Sequence, residues 1–122
     1  MIRIVRLGSA RARGEGLRLG TVRRPPRGVK KSDYARRNFY DLWLPELAPS
    51  MKLVGKADDW QRFAKAYRKE MKAPAAQRLL ELLARLSQHA DFSVGCYCED
   101  EARCHRSILR RLLAEHGARL PG

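Results

Sequence analysis

No stretch of this chain comes near the roughly 18 consecutive apolar residues that a membrane span requires, which excludes a helical membrane protein. Its opening residues, Met1 to Arg6, are too short and too interrupted by charge to form a secretory h-region, so a cytoplasmic protein is expected. Cysteine is scarce: there are three, all between positions 96 and 104. An odd, clustered set excludes a secreted disulfide scaffold, which would spread an even number along the chain. Cys-x-x-Cys is absent, and so is a strand-Gly-x-Gly-x-x-Gly-helix order, removing the usual redox and dinucleotide signatures. Internal repeats and low-complexity tracts are also missing.

What is present begins with size and charge. At 122 residues the chain reads as one domain over 1–122, long enough to bury a core without disulfides or structural metal. Acids are half as numerous as bases, 13 against 26, for a formal net charge of +13. The excess is uneven: residues 1–37 hold twelve Arg or Lys and two acids, Glu15 and Asp33. A basic first third points to polyanions, either a phosphate-bearing small molecule or nucleic acid. Arg-rich composition is also a genome-wide habit, and solvated charge alone is not a site.

The apolar pattern predicts strands over 2–5, 17–23 and 92–98, each alternating with period two. Residues 32–48 read either as an extended aromatic segment or as a short capped helix broken by Pro45 and Pro49. Ser50 opens a turn ending at Gly55. Asp58 is the expected N-cap of a helix carrying Trp60, Phe63, Tyr67 and Met71 on one face. Pro74 suits the first turn of a second helix, to about Gln88, with a Leu-rich face. A third helix starts at Cys104 or His105 after a turn over 99–103 and stops at Gly117. This order predicts an α/β fold, a small mostly parallel sheet flanked by helices. The aromatic residues Phe39, Tyr40, Trp43, Trp60, Phe63 and Tyr67 are expected in its core.

Ligands of such sheets gather where strands end. One strand ends in Arg23-Arg24-Pro25-Pro26-Arg27-Gly28, a stiff turn with three cations, and another in Cys96-Tyr97-Cys98-Glu99, ahead of Cys104-His105-Arg106. If the strands run parallel, both clusters meet on one sheet edge. Arg23, Arg24, Arg27 and Arg106 are therefore the candidate anion-binding residues: guanidinium groups grip phosphate in a forked, permanently charged way, and a helix start adds free N–H groups. His105 is the candidate acid/base, and Cys98 or Cys104 the candidate nucleophile. The plain alternative for Cys96 is a small buried hydrophobe. Zinc has four potential ligands in Cys96, Cys98, Cys104 and His105. However, Cys-Tyr-Cys is not a zinc knuckle and adjacent Cys104 and His105 are awkward for one ion, so no metal or cofactor is expected. Cys98-x5-Cys104 likewise lacks the arginine of a thiol-phosphatase loop, and whether the protein is an enzyme stays open.

Two segments together resemble the YeaO-like family of short bacterial domains of unknown function. One is Arg23-Arg24-Pro25-Pro26-Arg27-Gly28-Val29 with Trp43-Leu44-Pro45-Glu46-Leu47-Ala48-Pro49-Ser50. The other runs from Cys96 through Cys104-His105-Arg106 into the Leu-rich helix. The resemblance covers roughly residues 18–115 and implies a compact α/β domain with a shared polar pocket, but no particular reaction. Longer relatives tend to carry glutamate where this chain has Cys98, so no carboxylate role is expected at this position unless Glu99 substitutes.

Overall fold

A computed structural model describes residues 1–54, 58–100 and 103–121. The turn opened by Ser50 forms, with the Leu53 and Val54 N–H groups on the Ser50 carbonyl at 2.9 and 3.1 Å; its expected end at Gly55 and part of the turn over 99–103 lie outside the described residues. Strands β1 (Ile2–Arg6), β2 (Leu17–Gly20), β3 (Leu42–Trp43) and β4 (Phe92–Cys96) form one sheet in the order β1-β4-β2-β3, with every pairing parallel. The last strand in the chain is thus inserted between the first two. Phe92 pairs with Ile2 on one side and Leu17 on the other, and Gly95 with Val5 and Gly20.

A central parallel strand is covered on both faces, so all five residues of β4 are buried, including Ser93. Three helices, α1 (Trp60–Glu70), α2 (Pro74–Leu86) and α3 (His105–Glu115), supply one cover. Ile2, Leu19, Phe92 and Val94 of the sheet join Phe63, Tyr67, Leu80, Leu83, Ile108, Leu109 and Leu113 of the helices in one core. On the opposite face no α-helix packs among the described residues: Ser9, Glu15 and Asn38 bond the Arg18 side chain there, and the Tyr40 ring lies against Gly20. Leu7, Val22, Tyr40, Cys96 and Cys104 form a second, smaller cluster, with Tyr34, Phe39 and Tyr97 against them.

Local chemistry sets the helix ends. Asp59, not Asp58, caps α1: its carboxylate accepts the Arg62 N–H at 3.2 Å. Asp59→Ala should therefore lower stability by about 1 kcal/mol, read as a shift in thermal midpoint that Asp58→Ala does not reproduce. At the far end of α3, Gly117 takes φ +85°, and the Gly117 and Ala118 N–H groups bond the Ala114 and Leu113 carbonyls, both at 2.9 Å. That pair is a Schellman stop, which suits a residue without a Cβ.

Beneath the loop face lies an ion pair that charge counting did not anticipate. Arg18 is wholly buried. Its guanidinium donates to both Glu15 carboxylate oxygens, at 2.8 and 3.0 Å, and to the Ser9 and Asn38 carbonyls at 2.8 and 2.7 Å. Ser93 of β4 donates to the same carboxylate at 2.7 Å. Burial alone would raise the Glu15 pKa, but the hydrogen bonds from Arg18, Ser93 and the Ala12 N–H outweigh it and hold it at about 2.

Candidate functional site

The site sits at the carboxyl edge of the sheet, where β2 and β4 run side by side. β4 ends one residue before Tyr97 and two before Cys98, and β2 ends at Gly20 rather than continuing to Arg23. Beyond Gly20 the chain leaves the sheet under several restraints. The Thr21 N–H and hydroxyl both donate to the Gly95 carbonyl at 3.0 Å. The carbonyls of the same segment are then held from elsewhere: Thr21 by His105 Nε2 at 2.6 Å, Val22 by Trp43 Nε1 at 2.7 Å, and Arg24 by the Tyr97 hydroxyl at 2.9 Å. Arg23 turns its guanidinium toward the short helix Pro45–Leu47 and donates to the Pro45, Ala48 and Pro49 carbonyls at 3.0–3.2 Å. Three side chains from distant positions, with Arg23 of the turn itself, thus tie the arginine turn to the body.

The opposing wall is the start of α3. Cys104 is the N-cap residue, in extended conformation, and His105 is the first helical residue. Cys96, Cys104 and His105 are all buried, whereas Cys98 is exposed. Arg106 is buried too, and its guanidinium donates to the Cys98 carbonyl at 2.6 Å, fixing the chain that carries this thiol. The edge of the Tyr67 ring packs on the His105 imidazole, 5.5 Å between centroids, while the Tyr67 hydroxyl donates to the Leu47 carbonyl at 2.7 Å.

A pocket of about 340 Å³ opens between the two walls, lined mainly by apolar atoms of Val22, Pro49, Phe63 and Tyr97. Of the expected site residues, Arg23, Arg24, Cys98, Cys104 and His105 line it; Arg27 and Arg106 do not appear in its lining. Arg103, exposed and just ahead of α3, is a lining cation that sequence reading passed over. Its position in the turn between β4 and α3 was the available signal.

The electrostatics follow from this packing. Hydrogen bonds from the Cys104 and Cys96 thiols, helped by the Arg106 charge, pull the Cys98 thiol well below its ordinary range; burial works against them more weakly. The Cys96 thiol is pushed up by its hydrogen-bonded contacts with Cys104 and Cys98, and burial adds to them. Burial pushes the His105 imidazole down despite the Thr21 hydrogen bond, so the ring is neutral near pH 7. A carbonyl only accepts, so Nε2 carries the proton and Nδ1 presents its lone pair to the Cys104 sulfur, 3.7 Å away. Chemically the site offers thiols of unequal acidity, a neutral imidazole and, at its rim, guanidinium groups.

Against known proteins, one family matches: DUF488-N3a, described as the active DUF488-N3 subclade, over residues 2–117. No curated protein and no solved structure matches the chain.

Proposed function

The chain belongs to the DUF488-N3a family, in agreement with the YeaO-like resemblance of its sequence, YeaO being a DUF488 member, and from this footing we propose that its pocket binds a small ligand with an apolar body and a phosphate or carboxylate group. One observation carries the reading. Arg23 and Arg24, some eighty residues from Cys98, Cys104 and His105 in the sequence, line the same pocket of about 340 Å³. That volume suits a small molecule rather than a polymer. The mainly apolar walls favour a ligand with carbon to bury, and the exposed Arg24 and Arg103 bring two cations to its anionic end. Arg23 and Arg106 act one step back, positioning the turn and Cys98 through backbone carbonyls. If the bound ligand reacts, Cys98 is the better-placed nucleophile, being exposed where Cys104 is buried. His105 then serves as the acid/base candidate.

A basic nucleic-acid-binding module is the competing reading, and the exposed Arg13, Arg24, Arg27, Lys30, Lys31 and Arg37 favour it. Against it, part of the basic first third is spent inside the chain. Arg18 pairs with Glu15, Arg11 with Asp41 at 2.8 Å, Arg36 with Asp33 at 2.7 Å, and Arg23 serves carbonyls.

Thermal-shift titrations with phenyl phosphate, benzoate and a short single-stranded oligonucleotide, each at low and high salt, separate the two. Pocket binding gives saturable stabilisation by phenyl phosphate or benzoate. Arg24→Ala should weaken it about tenfold, equivalent to about 1.4 kcal/mol. Stabilisation by the oligonucleotide alone, falling steeply with salt, would reject the pocket reading.

A further inference from the structure

The sequence argues against zinc because Cys104 and His105 are neighbours. The helix start changes that geometry. Cys104 is extended, at φ −130° and ψ 151°, and His105 is the first residue of α3. This turns the Cys104 sulfur and His105 Nδ1 toward each other, 3.7 Å apart. Cys96, arriving at the end of β4, places its sulfur with them: the ligand atoms of Cys96, Cys104 and His105 all lie within 4.8 Å of one another.

We infer that Cys96, Cys104 and His105 form a binding site for a thiophilic divalent cation of the zinc class, with its fourth position open to the pocket. Three independent features support it. The first is size. With zinc–sulfur bonds of about 2.3 Å and zinc–nitrogen bonds of about 2.0–2.1 Å, a tetrahedral ion separates S from N by about 3.6 Å and S from S by about 3.8 Å. The Cys104–His105 distance already meets the first value, and Cys96 needs an approach of at most about 1 Å. The second is the tautomer. His105 Nε2 donates to the Thr21 carbonyl at 2.6 Å, the outer-shell hydrogen bond that orients a metal-binding imidazole and leaves Nδ1 as the ligand. The third is access. All three residues line the pocket of about 340 Å³ although each is buried, so an ion has both a preformed seat and an entry path.

Charge does not oppose the ion. Two thiolates neutralise a dication, so the nearby Arg106 meets a locally neutral centre. Two cysteines, one histidine and one open position is a donor set of sites that hold an exchangeable ligand rather than a purely structural ion. The nucleophilic candidate Cys98, although hydrogen-bonded to Cys104 and Cys96, is not among the ligand atoms that lie within 4.8 Å of one another. A metal here would stand whether or not the pocket takes an anion.

The test uses the full chain, reduced and stripped with chelator, then titrated with cobalt(II) and, separately, zinc. The expected result is thiolate-to-cobalt charge-transfer absorption saturating at about one equivalent, with the visible bands of a tetrahedral ion, abolished by excess zinc. Cys104→Ser and His105→Ala should each weaken cobalt binding at least tenfold, and Cys98→Ser should keep the stoichiometry. Cys96 is central to the core, so the unmodified chain is the deciding sample. If it shows no thiolate-to-cobalt absorption, or only the octahedral spectrum of solvated cobalt, the 3.7 Å contact is a thiol–imidazole hydrogen bond and the site is refuted. Loss of cobalt in Cys98→Ser with retention in Cys104→Ser would equally overturn the ligand assignment.

Discussion

Glu15→Ala should destabilise the fold by about 3–5 kcal/mol, a large part of the roughly 5–15 kcal/mol that holds an ordinary domain together. The substitution does not merely delete a favourable contact. It strands the Arg18 guanidinium, which is wholly buried and directs two of its hydrogen bonds at the lost carboxylate. It also takes the acceptor from the buried Ser93 hydroxyl of the central strand. The Ser9 and Asn38 carbonyls cannot compensate, because they supply partial charge only. Urea denaturation of three proteins measures the effect. Glu15→Ala should be least stable, and Glu15→Ala/Arg18→Met should regain a good part of the loss, since an apolar chain of similar length needs no counter-ion. Equal stability of the single and double variants would show that the pair is not what matters.

The same pair sets an acid limit with a definite sign. The folded-state pKa of Glu15 is depressed from 4.5 to about 2. Its contribution is therefore fully present above pH 4.5 and is lost as the pH falls from there toward about 2, on the order of 3 kcal/mol in all. Asp41 contributes to the same limb. Burial would raise its pKa, but hydrogen bonds from the Arg11 side chain and the Arg18 N–H lower it. The readout is thus a difference: the stability gap between the native chain and Glu15→Gln should be constant near neutrality and close below pH 4.5. A gap at pH 3 as wide as the one at pH 7 would contradict it, since less than half should be left there.

This ion pair also shows what could be read from the sequence. The strand over 2–5, the one expected over 92–98 that ends at Cys96, and all three helices announced themselves through periodicity and end signals, because those elements bury a face or a stripe. Arg18 did not. Within an alternating strand it reads as the solvent-facing partner of Leu17 and Leu19, yet Leu17 is 62% exposed and Arg18 is wholly buried, because the loop over 7–16 folds back across that face. The available signal was Glu15, one of two acids in the first 37 residues and three positions before Arg18. Strand β3 stays one of two open readings for another reason: two residues carry no periodicity that would decide between an extended segment and a helix. Trp43 within it, expected in the core, stays 40% exposed and spends its N–H on the Val22 carbonyl. At the site, the meeting of the arginine turn with the cysteine segment followed from parallel strands alone. The separate duties of the arginines did not, since which guanidinium finds carbonyls and which faces the pocket depends on the register of β4 between β1 and β2.

That register makes Gly95→Ala the other large effect, expected to cost about 2–3 kcal/mol, the upper part of the range for overpacking a close-packed interior. Gly95 pairs with Val5 on one side and Gly20 on the other. A Cβ there would stand 2.6 Å from the Val5 carbonyl oxygen and 2.9 Å from side-chain carbons of Val5 and Leu7. The nearest obstacle is backbone, so no rotamer change relieves it; β1 must move off β4 or β4 must twist. Val5→Ala/Gly95→Ala separates these causes. It removes one side-chain clash and leaves the carbonyl, and should recover little of the loss. The displacement would also reach the site, because the Gly95 carbonyl holds both the N–H and the hydroxyl of Thr21, whose own carbonyl orients His105. Gly95→Ala should therefore weaken ligand or cobalt binding more than a core truncation of equal thermodynamic cost, such as Leu80→Ala on the buried face of α2. Folded fractions matched by denaturant midpoint make that comparison fair. Should Gly95→Ala prove within 0.5 kcal/mol of the native chain, β1 and β4 would not be in the close register described, and the carboxyl edge on which the pocket stands would have to be redrawn.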